Sequence, residues 1–117
     1  MSAEVIWQFE LEDGADPEAV AAELRRRLAA LQPVQEAAVS PPQEERTGVE
    51  ILAVIATAVV VLRTGRELTE ELTLLIRAVR ELVGEVKGVK GAAVDVEGEL
   101  VAVEEADPRR LAEAVTA

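Results

Sequence analysis

Polar and apolar residues alternate strictly from Glu4 to Glu12, with Val5, Trp7, Phe9 and Leu11 on one side and Ile6, Gln8, Glu10 and Glu12 on the other. That period of two predicts a half-buried strand. Asp13-Gly14-Ala15 then turns the chain, and Asp16-Pro17 supplies an N-cap and a proline suited to the first helical position. The helix that follows, to about Leu31, presents Val20, Leu24, Leu28 and Leu31 inward and leaves Glu23, Arg25 and Arg26 to solvent. Gln32-Pro33 ends it, and Val34 to Val39 reads as a second short strand. Residues 40–47 hold Pro41, Pro42 and the charged run Glu44-Glu45-Arg46, which predicts an exposed loop with Pro42, Glu45 and Arg46 as its cleavable positions.

The next stretch is the least polar. After Gly48-Val49-Glu50, residues 51–62 are apolar around a whole helical wheel apart from Thr57, so the segment must be hidden. Its β-branched residues, Val49, Ile51, Val54, Ile55, Val59, Val60 and Val61, fit a strand as well. Three features favour a helix: Ala53, Ala56 and Ala58, a length beyond ordinary strands, and Thr47-Gly48-Val49-Glu50 spaced as a capping box. Thr64-Gly65-Arg66-Glu67 repeats the box before a second segment. There Leu68, Leu72, Leu75, Ile76, Val79, Leu82, Val83 and Val86 recur every three or four residues in one stripe. The pair is expected to form a helical hairpin whose first arm is central.

Gly84 and Gly88 should stop the second helix. Ala92 to Val96 and Leu100 to Glu104 flank Glu97-Gly98 as a tight β-hairpin, and Asp107-Pro108 opens a last short helix. The expected fold is therefore one α+β domain of order β-α-β-α-α-β-β-α, with a small, mostly antiparallel sheet packed on the helical hairpin.

Length and charge narrow the function. The 117 residues fit one domain. With 12 Lys+Arg against 23 Asp+Glu the net charge is -11, which repels phosphate backbones and argues against nucleic acid. No cysteine or histidine is present, so thiolate and Ser-His-Asp chemistry, disulfides and the usual zinc sites are excluded. No cofactor motif occurs and no metal is expected. The acids Glu10, Glu12, Asp13, Asp16 and Glu104, Glu105, Asp107 lack calcium-loop spacing and read as solvated edge charge. Arg25-Arg26-Arg27 reads as a helix face pairing with nearby acids rather than as a phosphate site. The N-terminus has no export signal, which with the lack of cysteine fits a cytoplasmic protein. As a helix, residues 49–62 would span about 21 Å, short of roughly 30 Å of hydrocarbon. Burial in a core or between subunits is the expectation, with release into a membrane after cleavage or oligomerisation as the alternative.

The order of these features resembles the bacterial effector-associated constant component family of small α+β domains. The resemblance rests on an acidic strand ending near Leu11, a short helix, Pro41-Pro42, and Gly48 opening an apolar segment. An amphipathic helix through Leu82, a strand pair turning at Gly98 and a short Asp-started helix complete it. It implies a non-catalytic part found beside or fused to proteases, nucleotide-dependent switches and other effectors of bacterial conflict systems. The expected function is a non-enzymatic assembly or adaptor module for defence or signalling. Its partner would be an effector, protease or switch protein, or a second copy of itself, with contact at Val49, Leu52, Ala53, Ala56 and Val60.

Overall fold

The computed structural model describes residues 2–48, 50–63 and 67–116. It contains β1 (Ser2–Leu11), α1 (Pro17–Ala29), β2 (Val34–Val39), β3 (Gln43–Thr47), β4 (Glu50–Arg63), α2 (Leu68–Glu85), β5 (Val89–Val96), β6 (Glu99–Ala102), a 3-10 turn (Val103–Glu105) and α3 (Pro108–Thr116). The class is α+β with an antiparallel sheet, but the order is β-α-β-β-β-α-β-β-α. The expected helical hairpin does not form, because the apolar run over 51–62 lies within a 14-residue strand.

The physical reason lies in its β-branched residues, which lose rotamer freedom in a helix and sit easily on a pleated surface. The supposed capping box before it is a hairpin turn. Thr47 pairs with Glu50, and Gly48 takes a φ of 63°, the left-handed region that glycine enters without a Cβ penalty. The expected loop over 40–47 is likewise part of the sheet, since Gln43 to Thr47 pair with β4 from Ile55 down to Glu50. The second box cannot be compared in full, as Thr64, Gly65 and Arg66 lie outside the described residues. Glu67 caps α2 without a side-chain hydrogen bond.

The sheet runs β2-β4-β1-β5-β6, with β3 beside β2 along the same flank of β4. Helix α1 joins β1 to β2 and α2 joins β4 to β5, so the central elements follow the split β-α-β, ferredoxin-like order. Strand β1 is central and antiparallel to both neighbours, in register with β4 from Ser2↔Arg63 to Leu11↔Val54. That register sets large residues against small ones: Trp7 faces Ala58 and Phe9 faces Ala56 across the strand pair. The two aromatics therefore fit beneath the helices without crowding.

One core forms on this side. Val5, Trp7, Phe9 and Leu11 of β1 meet Ala56, Ala58, Val60 and Leu62 of β4, Val94 of β5 and Leu24, Leu28, Leu72, Leu75, Val79 and Leu111 from the three helices. The predicted stripes are in place: Val20, Leu24 and Leu28 on α1 and Leu72, Leu75, Ile76, Val79 and Leu82 on α2 are buried. Both Asp-Pro starts also form. Asp16 Oδ1 accepts from the Glu18 and Ala19 amides, and Asp107 Oδ1 accepts from the Arg109 amide.

Gly88 closes the junction between α2, α1 and β1. Its φ is 97°, its carbonyl accepts from the Glu12 amide at 2.8 Å, and a Cβ there would lie 2.8 Å from Val20 Cγ2 and 3.1 Å from Ala15 Cβ. Gly84 differs, being an exposed position within α2 where an added Cβ meets nothing.

Two alanine substitutions should therefore act in opposite directions in urea unfolding. Gly88→Ala is expected to cost about 2–3 kcal/mol through left-handed strain and overpacking, while Gly84→Ala is expected to add roughly 0.5–1 kcal/mol by removing a helix glycine. Trp7, the single tryptophan, is fully buried, and its indole N–H has no hydrogen-bond partner among the described residues. Its emission is expected to be blue-shifted and poorly quenched by iodide in the folded protein, then to shift red in one step with unfolding.

Candidate functional site

The alternation that buries one side of β1 and β4 displays the other. Ile6, Gln8 and Glu10 of β1 and Ala53, Ile55, Thr57, Val59 and Val61 of β4 point away from the core, and no described helix packs on them. β4 is unusual in being apolar on both sides, so its outward residues form an apolar belt where an antiparallel sheet ordinarily turns polar residues to water.

Register gives the geometry of that belt. Ala38, Val59 and Ile6 form one cross-strand row, and Thr57, Gln8, Ala93 and Ala102 form the next. Ile55 lies between Gln43 and Glu10, and Ala53 lies opposite Glu45. Ile6 is 37% exposed and Leu100, on β6 opposite Asp95, is 50% exposed. Ala53, Ile55, Gly91, Ala93, Leu100 and Ala102 line a shallow concavity of about 550 Å³ together with Gln8 and acids from three elements.

Acids mark both ends of the belt. At one end Val61 sits between Glu36 and Glu4, and at the other Glu10, Glu45 and Glu104 border the concavity. The cations there among the described residues are few. Lys90 Nζ lies 3.9 Å from Glu10 Oε1 with both side chains well solvated, a contact of little energetic weight, Arg46 of β3 pairs with Ile51, and Arg63 lies beyond Val61, paired with Ser2.

The expected contact residues are dispersed by this arrangement. Ala53 lines the outward concavity. Ala56 and Val60 are completely buried beneath the helices, so they hold the fold together and offer nothing to a partner. Leu52 belongs to β4, and Val49 lies outside the described residues. Of the expected cleavable positions, Pro42 is half-buried just before β3, while Glu45 and Arg46 belong to β3 and pair with Ala53 and Ile51. The outward residues Ile6, Ile55, Val59, Val61 and Leu100 were not singled out from the sequence. The signal that would have found Ile55, Val59 and Val61 is the β-branched content of residues 49–61, read with period two.

The edges of the sheet are poor templates for another strand. On one flank Pro41 and Pro42 separate β2 from β3, and register shifts fall between Val34 and Glu36 and between Glu45 and Arg46. On the other flank β6 is four residues long.

Ionic chemistry elsewhere is structural. Glu23 accepts from both Arg26 and Arg27, and Arg27 Nη1 reaches Glu85 Oε2 at 2.9 Å, linking α1 to α2. Two of the three consecutive arginines thus pair with acids. No group of three or more acids stands close enough to hold a metal ion among the described residues. No described helix is long and apolar enough to cross a membrane.

No family model, curated protein or solved structure matches the chain.

The hydrogen bonds from Arg26 and then Arg27 pull the Glu23 carboxyl from 4.5 down to about 2. A carboxylate lowered on folding adds stability above its ordinary value, and that contribution is lost as pH falls from 4.5 through about 2. An NMR titration of the Glu23 carboxyl is expected to show its midpoint near 2, and Arg26→Ala should move it back toward 4.5.

Proposed function

We propose that the protein is a non-enzymatic assembly or adaptor module of a bacterial defence or signalling system, and that it works through the uncovered face of its sheet. One observation carries this reading: Val59, Ile6, Ile55 and Leu100 form an apolar belt on a side where no described helix packs. Ile6 and Leu100 are exposed and Val59 and Ile55 partly so, and contiguous apolar surface open to water characteristically marks an interaction site. The basis differs from the sequence expectation, which placed the contact on a helix apolar all round. The alternative of a helix released into a membrane has no support, because residues 50–63 are held in the sheet by β1, β2 and β3. The bacterial setting rests on the resemblance in sequence features alone, since the element order differs from the expected one, and the lack of histidine and cysteine agrees with a non-catalytic role.

Site-specific photo-crosslinking in the host cell tests the reading. A crosslinking residue at Ile6, on the belt, is expected to give a discrete protein adduct that disappears when Val59→Asp is added. The same residue at Arg77, exposed on α2, should not give it. Equal adducts from both positions, or none from Ile6, would remove the proposal. Unchanged Trp7 emission establishes that the Val59→Asp chain is folded.

A further inference from the structure

We infer that the occupant of the open sheet face is a cationic amphipathic helix, an apolar stripe flanked by lysine or arginine. The inference rests on the proposed interaction role of that face and names the chemistry of the partner. Charge distribution decides between candidates. The described residues around the belt include Glu4, Glu36 and Asp95 as well as Glu10, Glu45 and Glu104, against Lys90, Arg63 and, by register opposite Ile51, Arg46. The whole chain carries a net charge of -11.

A second copy is a poor occupant on these grounds. Because carboxylates stand at both ends of the belt, a copy laid face to face in either direction brings acids against acids. Like charges held at the border of a dehydrating contact oppose association and are not relieved by turning the partner round. Strand addition is disfavoured by the prolines and register shifts on one flank and by the brevity of β6 on the other. A helix lying across the sheet needs neither edge. It lays leucine-like side chains over Val59, Ile6 and Ile55, while basic residues on its flanks reach the acids beyond.

A matched pair of synthetic peptides provides the test. Each forms about five helical turns with the same leucine stripe, one flanked by lysines and the other by glutamates. Both are titrated into the full chain by calorimetry and by amide NMR. The lysine peptide is expected to bind at least tenfold more tightly than the glutamate peptide, to weaken as salt is raised, and to shift the amides of Ile6, Ile55, Val59 and Leu100. Glu36→Lys combined with Glu45→Lys changes exposed residues only and should abolish the preference. Equal affinity for the two peptides, shifts confined to α1 and α2, or no binding up to about 1 mM would overturn the inference. Light scattering separates it from the reading beneath it. A dimer of the unmodified chain that Val59→Asp dissolves would leave the face as an interface and eliminate the cationic partner. Failure of the crosslinking experiment would remove the interface itself.

Discussion

The hydrogen-bonded ladder between β1 and β4 is the constraint from which the rest of the structure follows. Ten consecutive pairs, from Ser2↔Arg63 to Leu11↔Val54, fix which residues of each strand point the same way. A slip of one residue would send Trp7 and Phe9 outward and Gln8 and Glu10 into the core. Within the correct register the aromatics lie beside Ala58 and Ala56, leaving room for α1, α2 and α3 to descend on one side. The same ladder leaves the odd-numbered residues of β4 on the other side. Core and exposed belt are two products of a single pairing.

Much of this was readable along the chain, and the reasons are local. β1 announces itself because its two sides differ in polarity, and α2 because leucines and valines recur at three and four. Asp16-Pro17 and Asp107-Pro108 place two helix starts through chemistry that depends on a few adjacent residues. β4 was misread because a segment apolar on both sides has no polar phase, so period two and period 3.6 describe it equally well. Its length and three alanines then favoured a helix, and a threonine three residues before a glutamate resembled a cap. Gly48 was the contrary sign, since its positive φ belongs to a turn. β3 was invisible for another reason: Gln43-Glu44-Glu45-Arg46-Thr47 has no apolar alternation and becomes a strand only by lying against β4. The exposed belt could not be found until the side occupied by the helices was known.

Alternation usually reconciles an antiparallel sheet with water on one side. Here Gln8 and Glu10 of β1, Glu36 of β2 and Glu45 of β3 follow that rule by facing outward, while β4 departs from it. The departure is centred on β4, with Leu100 of the edge strand β6 beside it, and is bordered by carboxylates, which hold surrounding water and discourage indiscriminate association. Apolar area supplies the attraction, and the charged border restricts what may approach.

The central position of β1 carries a consequence for how the chain is made. It leaves the ribosome before the other described elements of the fold, yet its two flanking strands are β4 and β5, which come after α1 and after α2 respectively. Trp7 and Phe9 thus remain unsheltered until those strands emerge, and β4 emerges with both its apolar sides exposed before β5 exists. Such long-range pairing slows folding and lengthens the interval in which nascent chains can adhere to one another. Production of this protein in quantity should depend on how well that interval is chaperoned.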